Sequence, residues 1–406
     1  MTLPSSSDSQ RFGGSPNRAQ TWISSEALEL ENGGRLQQVT VCYETWGVLN
    51  TDRSNAVLIC HALSGDSHVV RHDERDAPGW WEVLVGPGKP IDTDRYYVIC
   101  SNVLGGCRGT TGPNFRHPER AQPYGADFPV VTVHDMVKVQ RRLVVQLGIS
   151  RLHSVVGGSL GGLQVLTWAI DHPEMVLSSI VIAASARLSS QGIAFDVVGR
   201  NAIRTDPNFA GGQYYDGPAP EAGLALARML AHITYLSDES MRAKFDPTRL
   251  QPRAVDSAFE SIFSVGSYLA HQGDRFVERF DANSYVTLST AMDLFDLGDG
   301  PQKLATSLAP STCHWLFISF SSDWLYPPSA SRQLVDALVA QSKPVSSCEL
   351  ESPAGHDSFL LAETMEGGGR MIRAFLESEG SPSASFRGTN ETRIDEPTSI
   401  FYARRL

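Results

Sequence analysis

The chain lacks the marks of several large classes of protein. Its first twenty residues, MTLPSSSDSQRFGGSPNRAQ, have neither the basic start nor the apolar core of a secretory signal peptide. No apolar run approaches the length needed to cross a bilayer. Together these absences lead us to expect a cytoplasmic protein with no membrane contact. Cysteine is sparse, six residues in 406, and no two of them form a CxxC pair, so zinc-ribbon and dithiol motifs are unsupported. Basic residues are outnumbered, 34 against 45 acidic ones, and the net charge of −11 argues against a nucleic-acid surface. His68 and His72 stand at helical i, i+4 spacing, but no HExxH glutamate lies between them, so no metal is expected. Gly86-Pro87-Gly88-Lys89-Pro90 resembles the end of a P-loop, yet it lacks both the hydroxyl residue after Lys89 and the first glycine.

What is present starts with residues 152–170, LHSVVGGSLGGLQVLTWAI. A short β-branched apolar run enters the turn Gly157-Gly158-Ser159-Leu160-Gly161, and a helix-compatible apolar run leaves it. G-x-S-x-G occurs by chance in a chain with 35 glycines. Flanked by a strand and a helix, it reads instead as a nucleophile elbow. The turn is tight enough to demand small neighbours, which Gly157 and Gly161 supply. The first amide of the following helix, on Leu160, then points where an oxyanion would form.

Short apolar runs alternate with amphipathic ones on both sides of this stretch. Strands are expected at residues 27–30, 39–43, 56–60, 96–101 and 179–184, and again at 314–320 and 346–350. Helices are expected from Thr132 or His134-Asp135 to Leu147, at 330–340 and at 358–377. This rhythm predicts an α/β-hydrolase type of fold, a mostly parallel sheet with helices on both faces. It stops between residues 187 and 301, which read as an inserted helical cap. The core is thus expected at 21–186 and 302–379. Residues 1–20 and 380–406 are polar and expected to be disordered.

An elbow serine needs an acid and then a histidine, each after a later strand. Asp323 follows the strand ending at Phe320, and His356 follows the one ending at Leu350. The order Ser159, Asp323, His356 is that of a hydrolase triad. Serine is a poor nucleophile without a base, imidazole can take and return the proton, and a carboxylate fixes the imidazole tautomer. A second oxyanion amide is expected in the loop His61-Ala62-Leu63-Ser64-Gly65, with Leu63 the candidate. Cys107, in a Gly-rich loop, is the alternative nucleophile, although nothing later in the chain is organised around it.

With these residues in hand, the chain resembles the homoserine O-acetyltransferase family of methionine biosynthesis. The resemblance covers residues 25–377. It rests on Tyr43-Glu44-Thr45-Trp46-Gly47, the His61–Asp66 loop, Gly86-Pro87-Gly88-Lys89, the Gly105–Pro113 loop and Gly157–Gln164. It rests further on His232-Ile233-Thr234-Tyr235, Arg279-Phe280-Asp281-Ala282-Asn283-Ser284-Tyr285, Asp323-Trp324-Leu325-Tyr326-Pro327 and Gly355-His356-Asp357. It implies a ping-pong transfer from acyl-CoA through Ser159 to the homoserine hydroxyl. It also implies that Arg228 binds the homoserine carboxylate, that Asp357 binds its ammonium, and that the protein is a homodimer joined through the cap. The resemblance implies no bound cofactor, with acetyl-CoA as co-substrate. Members use acetyl or succinyl donors. The apolar stretch Trp324-Leu325-Tyr326-Pro327-Pro328 after the acid, with no arginine near Leu325, favours acetyl, unless Arg200 or Arg204 reaches in from the cap. A serine acceptor, an esterase or thioesterase, and a non-catalytic binding module are the remaining alternatives.

Overall fold

A computed structural model describes residues 15–246 and 263–379 of the chain. The elements in order begin with an edge strand, β1 (Gln20–Ser24), and two short strands that pair with each other, β2 (Leu28–Glu29) and β3 (Arg35–Leu36). β4 (Val39–Trp46) and β5 (Ala56–Cys60) follow. A second short pair, β6 (Val85–Gly86) and β7 (Ile91–Asp92), precedes β8 (Tyr97–Ser101). Next come α1 (Val133–Gln146), β9 (Ser154–Gly158), α2 (Leu160–Asp171) and β10 (Ser178–Ile182). Among the described residues, six helices then succeed one another without a strand: α3 (Ser190–Arg204), α4 (Glu221–Tyr235), α5 (Asp238–Phe245), α6 (Ser264–Val277), α7 (Ala282–Leu294) and α8 (Pro301–Leu308). The chain closes with β11 (His314–Phe320), α9 (Pro328–Val339), β12 (Val345–Leu350) and α10 (Ala362–Glu379).

Eight strands form one sheet in the order β1-β4-β8-β5-β9-β10-β11-β12. From β8 to β12 every pairing is parallel, while β4 runs antiparallel to both β1 and β8. This is the expected mostly parallel sheet. The two-residue period of a strand divides its side chains between two cores. In β5, Leu58 and Cys60 pack with Met136, Leu143 and Val144 of α1, whereas Val57 and Ile59 pack with Ile372 and Leu376 of α10. A strand buried on both faces must be apolar throughout, and AVLIC is.

Local signals set the element ends. Thr132 caps α1 in a capping box, since its side chain accepts from the Asp135 amide and the Asp135 side chain accepts from the Thr132 amide. Gly148, at φ 75°, stops the helix in a left-handed conformation. Parallel strands leave their carboxyl ends along one edge, so the segments after β5, β9, β11 and β12 converge there.

Three expectations need correction. β1 reads QTWIS and lies at the sheet edge, where most of its side chains are exposed and leave no apolar alternation to detect. The strand expected at 27–30 shrinks to β2. The last helix starts at Ala362, not at 358, because residues Gly355–Leu360 form a tight 3-10 turn. The N-terminal expectation falls mostly outside the described residues, although Gln20 already pairs with Tyr43; the C-terminal one lies wholly outside them. No helix among the described residues is long and apolar enough to cross a membrane.

The six consecutive helices pack on one another, α3 on α4 and α4 on α6. Their two ends meet: Arg187 bridges Asp296 as an isolated antiparallel pair, and the Leu297 amide donates to Ala186 O at 2.9 Å.

Candidate active site

β9 passes into α2 through a turn whose apex is Ser159, at φ 58° and ψ −126°. A non-glycine residue holds such a conformation only where its surroundings enforce it. Here the Ser159 amide donates to Ile182 O of the neighbouring strand at 3.1 Å. The glycines on either side are required by space. A Cβ on Gly157 would lie 2.5 Å from the Gly161 carbonyl, and one on Gly161 would lie 2.1 Å from Cys60 O. Leu160 is the first residue of α2, so its amide has no acceptor within the helix.

His356 and Asp323 come together after strands that are adjacent in the sheet. His356 Nδ1 lies 2.8 Å from Asp323 Oδ2, and both residues are 2% exposed. Asp323 Oδ1 accepts the amides of Leu325 at 3.0 Å and Tyr326 at 2.9 Å, which fixes the carboxylate. His356 Nε2 is buried without a hydrogen-bond partner, and His356 lines the same cavity as Ser159. Burial lowers the affinity of the imidazole for its proton. The charge and hydrogen bond of Asp323, with the charge of Asp357, outweigh burial and hold the pKa above 6.5. A base must be neutral to accept a proton, so activity should fall as pH drops through this raised value. A pH profile of kcat/KM should show an acid limb with its midpoint above 6.5; a midpoint below it would mean that Asp323 does not act on the imidazole as drawn.

The second expected oxyanion segment also reaches this cavity, through Ala62, Leu63 and Ser64. His61 braces it. The Val103 amide donates to His61 Nε2 at 3.1 Å, so the ring proton sits on Nδ1 and is donated to Ala62 O at 2.7 Å. Burial pulls the His61 pKa down and keeps the ring neutral.

The cavity holds about 60 Å³. Its wall is largely apolar and includes Phe195, Met292, Leu325 and Phe359, together with Tyr235 and Tyr285. The charged groups on it, apart from His356, are acidic: Asp196 and Asp357. Among the described residues, lysine and arginine are absent from its lining. Burial, then interaction with His356 and Arg228, governs Asp357, whose pKa is raised overall. Arg228 lies just behind the wall, its guanidinium over Phe276 at 4.6 Å and Tyr235 at 5.6 Å. Its Nε and Nη1 are buried with no hydrogen-bond partner. Two donors of a buried cation left without an acceptor are costly unless a ligand supplies one.

The other sequence candidates separate cleanly. Cys107 is buried and does not line the cavity, and burial pushes its thiol up to about 12, so a thiolate nucleophile is disfavoured. Arg200 is tied to Asp293 and Ser289, and Arg204 is exposed; neither lines the cavity. Asp281 is a helix cap whose carboxylate also accepts from Tyr214 and Tyr215, at 2.6 and 3.1 Å. Gly86-Pro87-Gly88-Lys89 is the turn between β6 and β7, held by Arg373 and Asp92.

His68 and His72 gain a partner that their spacing did not reveal. Each places a ring nitrogen 2.9 Å from the same oxygen of buried Glu44, and Ser67 donates to the other oxygen at 3.0 Å. Their ligand atoms lie within 4.8 Å of one another. Both imidazoles converge on one oxygen, as proton donors do, and the Glu44 hydrogen bond is the main cause that lifts His68 to about 9.

Asp196 was not legible as a site residue. It stands in a helix among Phe195, Val197 and Val198, where an acid reads as solvated surface. Burial and the neighbouring Asp293 push its carboxyl up to about 8, with Arg200 opposing them.

Residues 55–363 match the α/β hydrolase fold family. The chain is 57% identical over 362 residues to a bifunctional methionine biosynthesis protein, MetXA/MetW, of Rhodopirellula baltica. That match covers 88% of this chain and 58% of the relative's length. It is 51% identical to a homoserine O-acetyltransferase of Solidesulfovibrio magneticus, covering 86% of this chain and 89% of that protein. It is 50% identical to a homoserine O-succinyltransferase of Magnetococcus marinus, covering 85% and 90%. Among solved structures, homoserine O-acetyltransferase from Bacillus anthracis aligns at TM-score 0.79 and 30% identity, covering 88% of this chain and 97% of that one. An esterase aligns at TM-score 0.80 and 30% identity, covering 88% and 100%. Backbone likeness therefore does not separate transferase from esterase, and the site must do so.

Proposed function

The chain belongs to the homoserine O-acyltransferase family of the α/β-hydrolase fold, and from that premise we propose that it transfers an acetyl group from acetyl-CoA to the hydroxyl of L-homoserine. Ser159 Oγ attacks the thioester carbonyl while His356 Nε2 takes its proton. The carbonyl oxygen, now negative, is held by the amides of Leu63 and Leu160. The tetrahedral adduct collapses, the C–S bond breaks, and His356 gives the proton to the departing CoA sulfur. In the second half, His356 takes the proton of the homoserine hydroxyl as its oxygen attacks the acyl-serine. Collapse then releases O-acetylhomoserine, and the proton returns to Ser159.

One observation carries the choice of acceptor over water. The unpartnered nitrogens of Arg228 lie within electrostatic reach of the carboxyl of Asp357, which lines the small, mostly apolar cavity. A cation and an anion so placed match the carboxylate and ammonium of an amino acid, and a planar guanidinium suits a carboxylate. An esterase for neutral substrates has no use for that pair. Incubation with acetyl-CoA, with and without homoserine, tests the reading by following free CoA and O-acetylhomoserine. Stoichiometric CoA release without homoserine and sustained release with it are expected; sustained release in water alone would make the protein a thioesterase.

The same cavity supports acetyl over succinyl. A succinyl group would bring a second carboxylate against Leu325 and Asp196, with no lysine or arginine among the described residues of the wall. Acetyl-CoA should give the higher kcat/KM, and Leu325→Arg should shift the ratio toward succinyl-CoA by about tenfold or more, the effect of roughly 1.4 kcal/mol. A higher kcat/KM for succinyl-CoA in the wild type would overturn the choice of donor.

A further inference from the structure

The two amides assigned above to the oxyanion, on Leu63 and Leu160, come from segments whose strands, β5 and β9, are paired only as far as Cys60 and Gly157, so the register of the sheet brings them near each other but ends before either amide. One side chain spans them. Gln164 stands one turn beyond Leu160 on α2 and is completely buried. Its Nε2 donates to His61 O at 3.1 Å and to Leu160 O at 3.2 Å. A carboxamide nitrogen has two hydrogens, so one serves each segment. His61 leads directly into Ala62-Leu63, and Leu160 begins the helix.

The amide cannot turn over. Its Oε1 accepts from Gln140 Nε2 at 2.6 Å, and Gln140 Oε1 accepts in turn from Trp168 Nε1 at 2.8 Å. The indole N–H only donates, so it fixes Gln140, which fixes Gln164. Flipping Gln164 would set nitrogen against nitrogen and oxygen against two carbonyls, and flipping Gln140 would set its nitrogen against the indole nitrogen and its oxygen against Gln164 Oε1. All three side chains are 1% exposed or less, so water cannot take over a broken link.

We propose that Gln164 is a positioning residue that sets the distance between the Leu63 and Leu160 amides, held in orientation by Gln140 and Trp168. The inference rests on the acyl-transfer reading of Ser159. Both half-reactions pass through the same oxyanion, so both depend on this spacing. Gln164→Met keeps the length of the side chain and removes both donors. Its rate should fall by about tenfold to a hundredfold in acylation and by a similar factor in transfer to homoserine, less than the loss of an oxyanion donor itself. KM for homoserine should change little, since Arg228 and Asp357 are untouched.

Rates must be referred to competent sites, because a purely structural role would only lower their number. Intact-mass counting of acylated Ser159 after saturating acetyl-CoA gives that number. A per-site rate reduced in both half-reactions supports the proposal; a per-site rate equal to wild type overturns it. If Gln164→Met does not fold, Gln140→Met decides, since it leaves both Gln164 donors in place and frees only their orientation. It should lower the per-site rate severalfold, and an unchanged rate would overturn the proposal. Wild type that never forms an acyl adduct would instead sink the underlying acyl-transfer reading, so the two failures are distinguishable.

Discussion

Ser159→Ala should lose transfer almost completely and keep its fold. Removing a triad nucleophile typically costs about four to six orders of magnitude in kcat. The substitution deletes one oxygen and keeps the Cβ, so the strained conformation at φ 58° is no worse for alanine than for serine. The neighbours that enforce the turn, Gly157 and Gly161 against the Cys60 carbonyl, are unaffected. Wild type mixed with acetyl-CoA alone should gain one acetyl mass, located on the peptide carrying Ser159. The variant should gain none, while its thermal midpoint stays within a few degrees of wild type. Acylation of Cys107 in either protein would refute the assignment.

The second large effect is expected at Arg228. In the proposed reading, Arg228→Ala removes the cation facing the acceptor's carboxylate and leaves that carboxylate buried without a partner. Breaking a buried, hydrogen-bonded charge pair costs about 2–5 kcal/mol, which is a loss of about thirty- to several-thousandfold in kcat/KM for homoserine. Acylation of Ser159 should be nearly spared, because the thioester carbonyl is served by other groups. Single-turnover CoA release separates the halves, and an equal loss in both would make Arg228 a structural residue. Arg228→Lys should recover little. An ammonium cannot reproduce the flat fork stacked on Phe276.

The triad could be read because each member follows a strand of a parallel sheet, and that placement is imposed by topology rather than by fine packing. Ser159, Asp323 and His356 needed only the period of the apolar runs and the glycines of the elbow. Arg228 and Asp357 enter as acceptor residues only through the family resemblance and remain a proposal, since an arginine on an amphipathic helix and an aspartate in a loop look ordinary. Asp196 and Gln164 were silent. Asp196 has its meaning from Asp293, ninety-seven residues on, and Gln164 from His61 and Gln140. Glu44 hid for the same reason, its two histidines lying more than twenty residues away. Such partnerships are set by how distant strands and helices pack together, which the residues of one segment do not encode. The edge strand β1 escaped because its solvent side erases the alternation that marks inner strands. The shifted start of α10 reflects the turn that aims His356, a local distortion placed over a helical pattern.

The pinned ends at Arg187 and Asp296 have a consequence for how this protein could change. The described residues between 188 and 295 enter and leave the core through a neck closed by one backbone pair and by the ion pair of Arg187 with Asp299 at 2.9 Å. The entropy of closing a loop grows only with the logarithm of its length, so closing the neck costs little more around a longer enclosed chain than around a shorter one. Arg228 travels with that enclosed chain, whereas Ser159, Asp323 and His356 stay behind. Recombination at the neck would therefore exchange the proposed carboxylate anchor, Arg228, as a cassette while Asp357 and the reacting atoms stay with the sheet, giving a lineage room to try new alcohols without rebuilding its chemistry.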